Sequence, residues 1–144
     1  MSTNKNQYLS WEKRRRGSDL KKYNKNLELS LEDKIKQPEI WGPHLWHFLH
    51  TFAASVPEVI EDEERRDAIK EFIEALPFVL PCQTCAVHYD KMLDDYPVTP
   101  QVLATRKSLS AYIFFLHNTV NARLGKPVLP AKIILDKYGV SISD

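Results

Sequence analysis

The chain has 144 residues, 43% of them hydrophobic and 27% charged, and a formal net charge of +1. That length allows one domain and a tail, and the composition is that of a globular protein rather than a disordered or fibrous one. Two cysteines exclude a disulfide scaffold, no apolar run is long enough to span a bilayer, and the N-terminus lacks the apolar block of a secretory signal, so an intracellular protein is expected.

The charge is unevenly spread. Residues 1–37 hold ten Lys/Arg against five Asp/Glu, or +5, and the rest of the chain carries −4. A basic tail over 1–37 is therefore predicted to precede a mildly acidic helical domain over 38–144. The run "EKRRRG" within the tail fits a nucleic-acid contact or an address signal, and equally a solvated terminus; the second reading is preferred because short basic runs are common.

From Pro38 onward the apolar spacing is helical. Pro43 is placed at a helix start, where its missing N–H costs nothing, and Leu45, Leu49, Phe52 and Val56 recur at three and four residues until Pro57. The acidic opening of "EDEERRDAIKEFIEAL" starts a second helix, with Ala68, Ile69, Phe72, Ile73 and Leu76 as its inner face. Pro77 and Pro81 bracket a turn. A third helix is expected from Pro81 or Cys82 to about Asp94, with Tyr89, Met92 and Leu93 inward. After the "DDYPVTP" loop, a fourth helix runs through "RKSLSAYIFFLHNTVNARL", lined by Leu109, Tyr112, Ile113, Leu116 and Val120 and stopped by Gly125. "AKIILDKYG" forms a short last helix. With no period-two alternation and no hairpin signal, the predicted fold class is all-α, a four-helix bundle with a short fifth helix.

The motif that carries chemistry is "LPCQTCAVHY", which holds Cys82 and Cys85. A C-x-x-C pair fits three roles. A zinc site needs two more ligands, and His44, His47, His50, His88 and His117 are available but scattered in sequence. A thioredoxin-type site needs a preceding strand, and this sequence shows helices. A redox pair on a helical scaffold has favourable local physics, because a cysteine in the first helical turn sits among unpaired N–H groups that stabilise its thiolate. Such a pair needs an electron acceptor. "LHNTVNARLGKP" sets His117, Asn118 and Asn121 into an apolar helix, followed by Lys126, and buried amides and imidazoles need partners. They satisfy one another or receive a planar polar ligand. Trp46 and His50, four residues apart, offer a second such pairing or plain aromatic packing.

Four blocks in order, "WGPHLWHFLHTFAASVP", "LPCQTCAVHY", "ATRKSLSAYIFFLHNTVN" and "LGKP", resemble the Erv/ALR family of FAD-dependent sulfhydryl oxidases over roughly Ile40 to Leu129. The short layout looks most like the versions carried by large DNA viruses. The resemblance implies a helical bundle that holds FAD. Cys82 and Cys85 would be the active-site pair, Cys82 facing substrate and Cys85 facing the flavin. Gly42, Trp46 and His50 would line the flavin and adenine site, and Tyr112 would stand as an aromatic plate where many relatives have Trp. His117, Asn118 and Asn121 would contact the adenine and ribose side, and Lys126 the phosphates or flavin ring. Pro43 departs from the Arg that many relatives carry there. The family implies oxidation of a protein dithiol, with O2 reduced to hydrogen peroxide, and a homodimer. This chain lacks the extra cysteine pair that many relatives use as a shuttle, so a separate, thioredoxin-like protein is expected to dock at Cys82. No metal site is expected, because a zinc site here would draw its second ligand pair from helices far away in sequence. The competing expectation is a zinc-binding C-x-x-C/His module whose basic tail contacts nucleic acid.

Overall fold

The computed structural model describes residues 37–141, and the basic stretch over 1–36 lies outside them. Five α-helices follow one another: α1 (Pro38–Ser55), α2 (Glu63–Ala75), α3 (Gln83–Asp95), α4 (Arg106–Arg123) and α5 (Ala131–Lys137), with a 3-10 turn at Leu76–Phe78. The chain is all-α, as the apolar spacing predicts, and among the described residues its only β pairing is an isolated bridge between Val59 and Thr105. No helix among the described residues is long and apolar enough to cross a membrane.

The helix ends follow local chemistry. Helix α1 begins at Pro38, five residues before the expected start at Pro43, because Pro38 already supplies the fixed φ that favours a first helical position. Pro43 is instead inside the helix, where it removes one N–H from the ladder. Asp62 caps α2, accepting the Glu64 N–H at 3.0 Å. Thr105 and Ser108 close a reciprocal capping box on α4. Two glycines take left-handed backbone where helices end, Gly125 at φ 70° and Gly139 at φ 75°.

The described residues fall into two compact units, 37–41 with 71–97 and 42–70 with 98–141. In the first, Ile73, Leu76, Ala86, Tyr89, Met92 and Leu93 are buried, and the Tyr89 hydroxyl donates to the Ile73 carbonyl at 3.3 Å. Phe72 was expected on that inner face and is 37% exposed, and Ala68 is exposed as well, so the buried stripe of α2 is narrower than its sequence suggests. In the second unit, Leu49, Ile60, Leu109, Ile113 and Leu116 are almost wholly buried. Its loop over 56–61 is held by polar bonds: Arg106 Nε donates to the Val56 carbonyl at 2.6 Å, and Arg66 donates to the carbonyls of Ile60 and Glu61. Helix α5 packs through Ile134 and Leu135 with Phe114 and Val140.

Ser110 departs from this economy. It is 3% exposed on α4, and its hydroxyl has no hydrogen-bond partner among the described residues. A buried unsatisfied hydroxyl costs about 1–3 kcal/mol. Ser110→Ala is therefore expected to raise stability by roughly 1 kcal/mol in urea unfolding. A loss of comparable size would show that the hydroxyl has a partner in the folded protein.

Candidate functional site

Cys82 and Cys85 form a disulfide, with Cα atoms 5.2 Å apart. The sequence suggests that Cys82 opens the first helical turn; the structure makes it the N-cap of α3, with extended backbone at φ −104° and ψ 116°. Its sulfur accepts the Cys85 N–H at 3.2 Å. The shift by one position matters, since an N-cap side chain is where the orphan N–H groups of a helix are aimed. Negative charge on the Cys82 sulfur is thus met by a backbone donor and the positive end of α3. Both cysteines are half-buried, so burial does not separate them, whereas the N-cap bond does. Among the described residues, no group of three or more His, Cys, Asp or Glu could hold a metal ion, and the zinc alternative has no support.

The second constellation lies in the other unit. His50 of α1 and His117 of α4 are hydrogen-bonded, Nε2 to Nδ1, at 2.8 Å. Trp46 stacks on His117, with ring centroids 4.3 Å apart and planes 7° from parallel. The four-residue spacing of Trp46 and His50 places both on one stripe of α1, so the helix delivers an aromatic face and an imidazole edge to the same ring of α4. His50 is 4% exposed. Burial lowers the pKa of each histidine to about 4; the neighbouring His117, Lys137 and His47 add to the effect at His50, and Lys126 adds to it at His117. Both rings are therefore neutral at pH 7. One ring donates the shared proton and the other accepts it, so their two outer nitrogens are one donor and one acceptor.

Tyr138 and Lys137, which sequence reasoning missed, complete this cluster together with His47, which the sequence offered only as a zinc ligand. Tyr138 stacks on His50 at 5.0 Å between centroids, and its hydroxyl is hydrogen-bonded to His47 Nδ1 at 2.9 Å. Lys137 lies over the Tyr138 ring, 5.5 Å from its centroid. Burial raises the Tyr138 pKa. No local signal marks Tyr138, because its partner is 91 positions away in sequence.

The other expected site residues take different parts. Gly42 is buried on α1 and Tyr112 is 8% exposed on α4. Asn121 is 8% exposed on α4, and its carbonyl accepts the Lys126 N–H at 2.8 Å. Asn118 turns to the chain itself: its amide nitrogen donates to the Leu129 carbonyl at 2.9 Å, and its amide oxygen accepts the Leu129 N–H at 3.1 Å. Lys126 is exposed.

The chemistry of this donor set fits a planar, anionic ligand. Flat rings offer stacking surfaces, the half-buried His117 has an outer ring nitrogen beyond its bond to His50, and Lys126 and Lys137 add positive charge. No carboxylate figures among the groups that shift the two histidines.

The sequence profile of the Erv1 / Alr family matches residues 43–139 of this chain. A protein of Invertebrate iridescent virus 6, named "Putative FAD-linked sulfhydryl oxidase 347L", is 33% identical over 105 residues, which is 70% of this chain and 94% of that protein. The FAD-linked sulfhydryl oxidase ERV1 of Arabidopsis thaliana is 34% identical over 115 residues, covering 78% of this chain but 58% of the plant protein. Among solved structures, the yeast Erv1 core superposes with a TM-score of 0.65 at 23% identity, covering 80% of this chain and 89% of that one, and so shares the fold.

Proposed function

The chain belongs to the Erv1 / Alr family, and from that premise we propose that it is a flavin-linked sulfhydryl oxidase that makes disulfides in a protein dithiol through Cys82 and Cys85. The observation that carries this reading is a closed C-x-x-C disulfide at a helix N-cap in a chain that also builds an aromatic, cationic cluster. FAD suits the chemistry of that cluster: its rings would meet aromatic faces, its polar edges the outer nitrogen of His117, and its diphosphate the charges of Lys126 and Lys137.

The chain's own residues perform the thiol chemistry. A substrate thiolate attacks the Cys82 sulfur, the Cys82–Cys85 bond breaks, and Cys85 leaves as a thiolate. A second substrate thiolate attacks the substrate sulfur of the mixed disulfide. The substrate departs oxidised and Cys82 leaves as a thiolate. The Cys85 N–H stabilises that leaving group, and a more stable thiolate leaves faster. Two electrons now reside on the dithiol pair, and two protons have been released or retained according to pH. A bound FAD would supply the two-electron acceptor for this dithiol, with O2 as the final acceptor and hydrogen peroxide as its product.

Both cysteines of this chain belong to the pair, so the electrons come from a separate dithiol protein, of which a thioredoxin-like carrier is the simplest kind. A homodimer is part of the same proposal. Phe48 of α1 is 55% exposed and stacks with Phe52 at 6.4 Å, an aromatic surface suited to a second copy. The test is direct: the purified full chain is yellow and, given a dithiol, consumes O2 with hydrogen peroxide formed in equal amount. A folded, colourless protein without thiol-dependent oxygen uptake refutes the proposal.

A further inference from the structure

We infer that Asn118 is a positioning residue: through Leu129 it pins the arm over residues 124–130, which carries Lys126, instead of presenting its amide to the cofactor. The family resemblance assigns Asn118 a direct contact with the adenine and ribose side. The geometry gives the amide other work. Its paired donor and acceptor, the edge that a base or a ribose would use, are both engaged with one residue, at 2.9 Å to the Leu129 carbonyl and 3.1 Å from the Leu129 N–H.

Burial does not hold this arm. Every residue from Leu124 to Ile133 is exposed, including Leu124 at 44%, Val128 at 59% and Leu129 at 37%. What fixes it is polar and local. At one end Gly125 turns the chain with φ 70°, and the Lys126 N–H donates to the Asn121 carbonyl at 2.8 Å. At the other end stands Asn118. Between the two pins, Pro127 restricts its own φ and favours extended backbone at Lys126, so the backbone that carries Lys126 is held between the two anchored ends. The charge of Lys126 adds to the lowering of the His117 pKa, whose larger cause is burial. Asn118 and His117 are neighbours on α4, so a single helix carries both the ring and the anchor of the arm that bears the cation.

Helix α5, which follows the arm, is held independently. Ile134 and Leu135 pack with Phe114 and Val140, and Tyr138 is bonded to His47. Losing the Asn118 bonds therefore frees the arm without detaching the helix beyond it, and Asn118→Ala is expected to fold.

The bearing of this on catalysis rests on the reading of the site as a flavin site, but its test does not. In the full chain, the His117 ring is titrated by NMR in the wild type, Asn118→Ala, Lys126→Met and the double variant. Lys126→Met removes the cation and raises the His117 midpoint. Asn118→Ala is expected to raise it in the same direction, and the double variant to go no further than Lys126→Met alone. Exchange of the Leu129 amide speeds up roughly tenfold in Asn118→Ala, as expected for the loss of two ordinary hydrogen bonds, and is unchanged in Lys126→Met. Leu129→Pro deletes the N–H that Asn118 receives and leaves Asn118 itself intact, and it too should raise the His117 midpoint. The inference is overturned if Asn118→Ala and Leu129→Pro leave His117 at the wild-type midpoint while Lys126→Met moves it, or if the effects of Asn118→Ala and Lys126→Met add. A colourless protein in which these couplings hold would refute the flavin reading and leave the positioning role standing.

Discussion

Cys82→Ser and Cys85→Ser each lower thiol-dependent oxygen uptake by roughly a thousandfold or more, the loss seen when a member of a covalent catalytic unit is removed. Neither variant unfolds the protein. The bridge spans a sequence separation of only three, so the chain-entropy estimate of its contribution is about 2 kcal/mol. The two variants nevertheless differ. Cys85→Ser keeps the sulfur at the N-cap of α3, where the backbone N–H of residue 85 and the helix end favour the thiolate. Offered a partner in its disulfide form, this variant attacks it and accumulates as a mixed disulfide through Cys82. Cys82→Ser keeps only the sulfur one turn further along and accumulates far less. Mass spectrometry of the non-reduced product distinguishes the two. Equal trapping by both variants would mean that the N-cap does not select the exchanging sulfur.

The second large effect is expected at the ring cluster. Trp46→Ala removes the plate over His117, and His117→Ala removes both the stacked ring and the partner of His50. Each should weaken flavin binding by roughly tenfold to a hundredfold, the sum of one aromatic contact and one buried hydrogen bond. Flavin content of the purified variants and its recovery on adding FAD measure this. The same pair makes stability depend on pH in a defined window. His50 and His117 have pKa values of about 4 in the folded protein and ordinary values near 6.5 when unfolded. Between these limits the unfolded chain binds more protons. Stability is therefore flat above about pH 6.5 and falls as pH drops toward 4. A decline in Tm on the order of 5–10 °C across that window is expected, and His50→Phe should flatten it. A wild-type Tm that stays level from pH 7 to 4.5 would contradict the buried neutral pair.

Much of this was legible in the sequence because it depends on near neighbours. The stripe Leu109, Tyr112, Ile113, Leu116 and Val120 announced α4; the first four are buried and Val120 is half-buried. Gly125 and Gly139 marked helix ends, and both have positive φ. Four-residue spacing put Trp46 and His50 on one stripe of α1, whereas their contacts with His117 on α4 had no signal in the sequence. What sequence could not show depends on distant partners or on competition between similar signals. Two prolines five apart both suit a helix start, and Pro38 took the role that Pro43 was assigned. Phe72 satisfies the helical period yet lies at the margin of the buried stripe. Tyr138 joins the ring cluster across 91 residues, and Asn118 reaches forward to Leu129 across 11, which the pattern "HN" alone does not reveal.

In the proposed function, electrons enter at the Cys82–Cys85 pair and leave through a bound flavin. Anaerobic mixing of the yellow protein with a dithiol tests it most directly. In the wild type the flavin absorption bleaches to the two-electron reduced form and returns on admitting O2. In Cys82→Ser and Cys85→Ser, flavin bound to the same extent stays oxidised on that timescale. Bleaching in either variant at the wild-type rate would contradict the account, because the electrons would then reach the flavin without the disulfide.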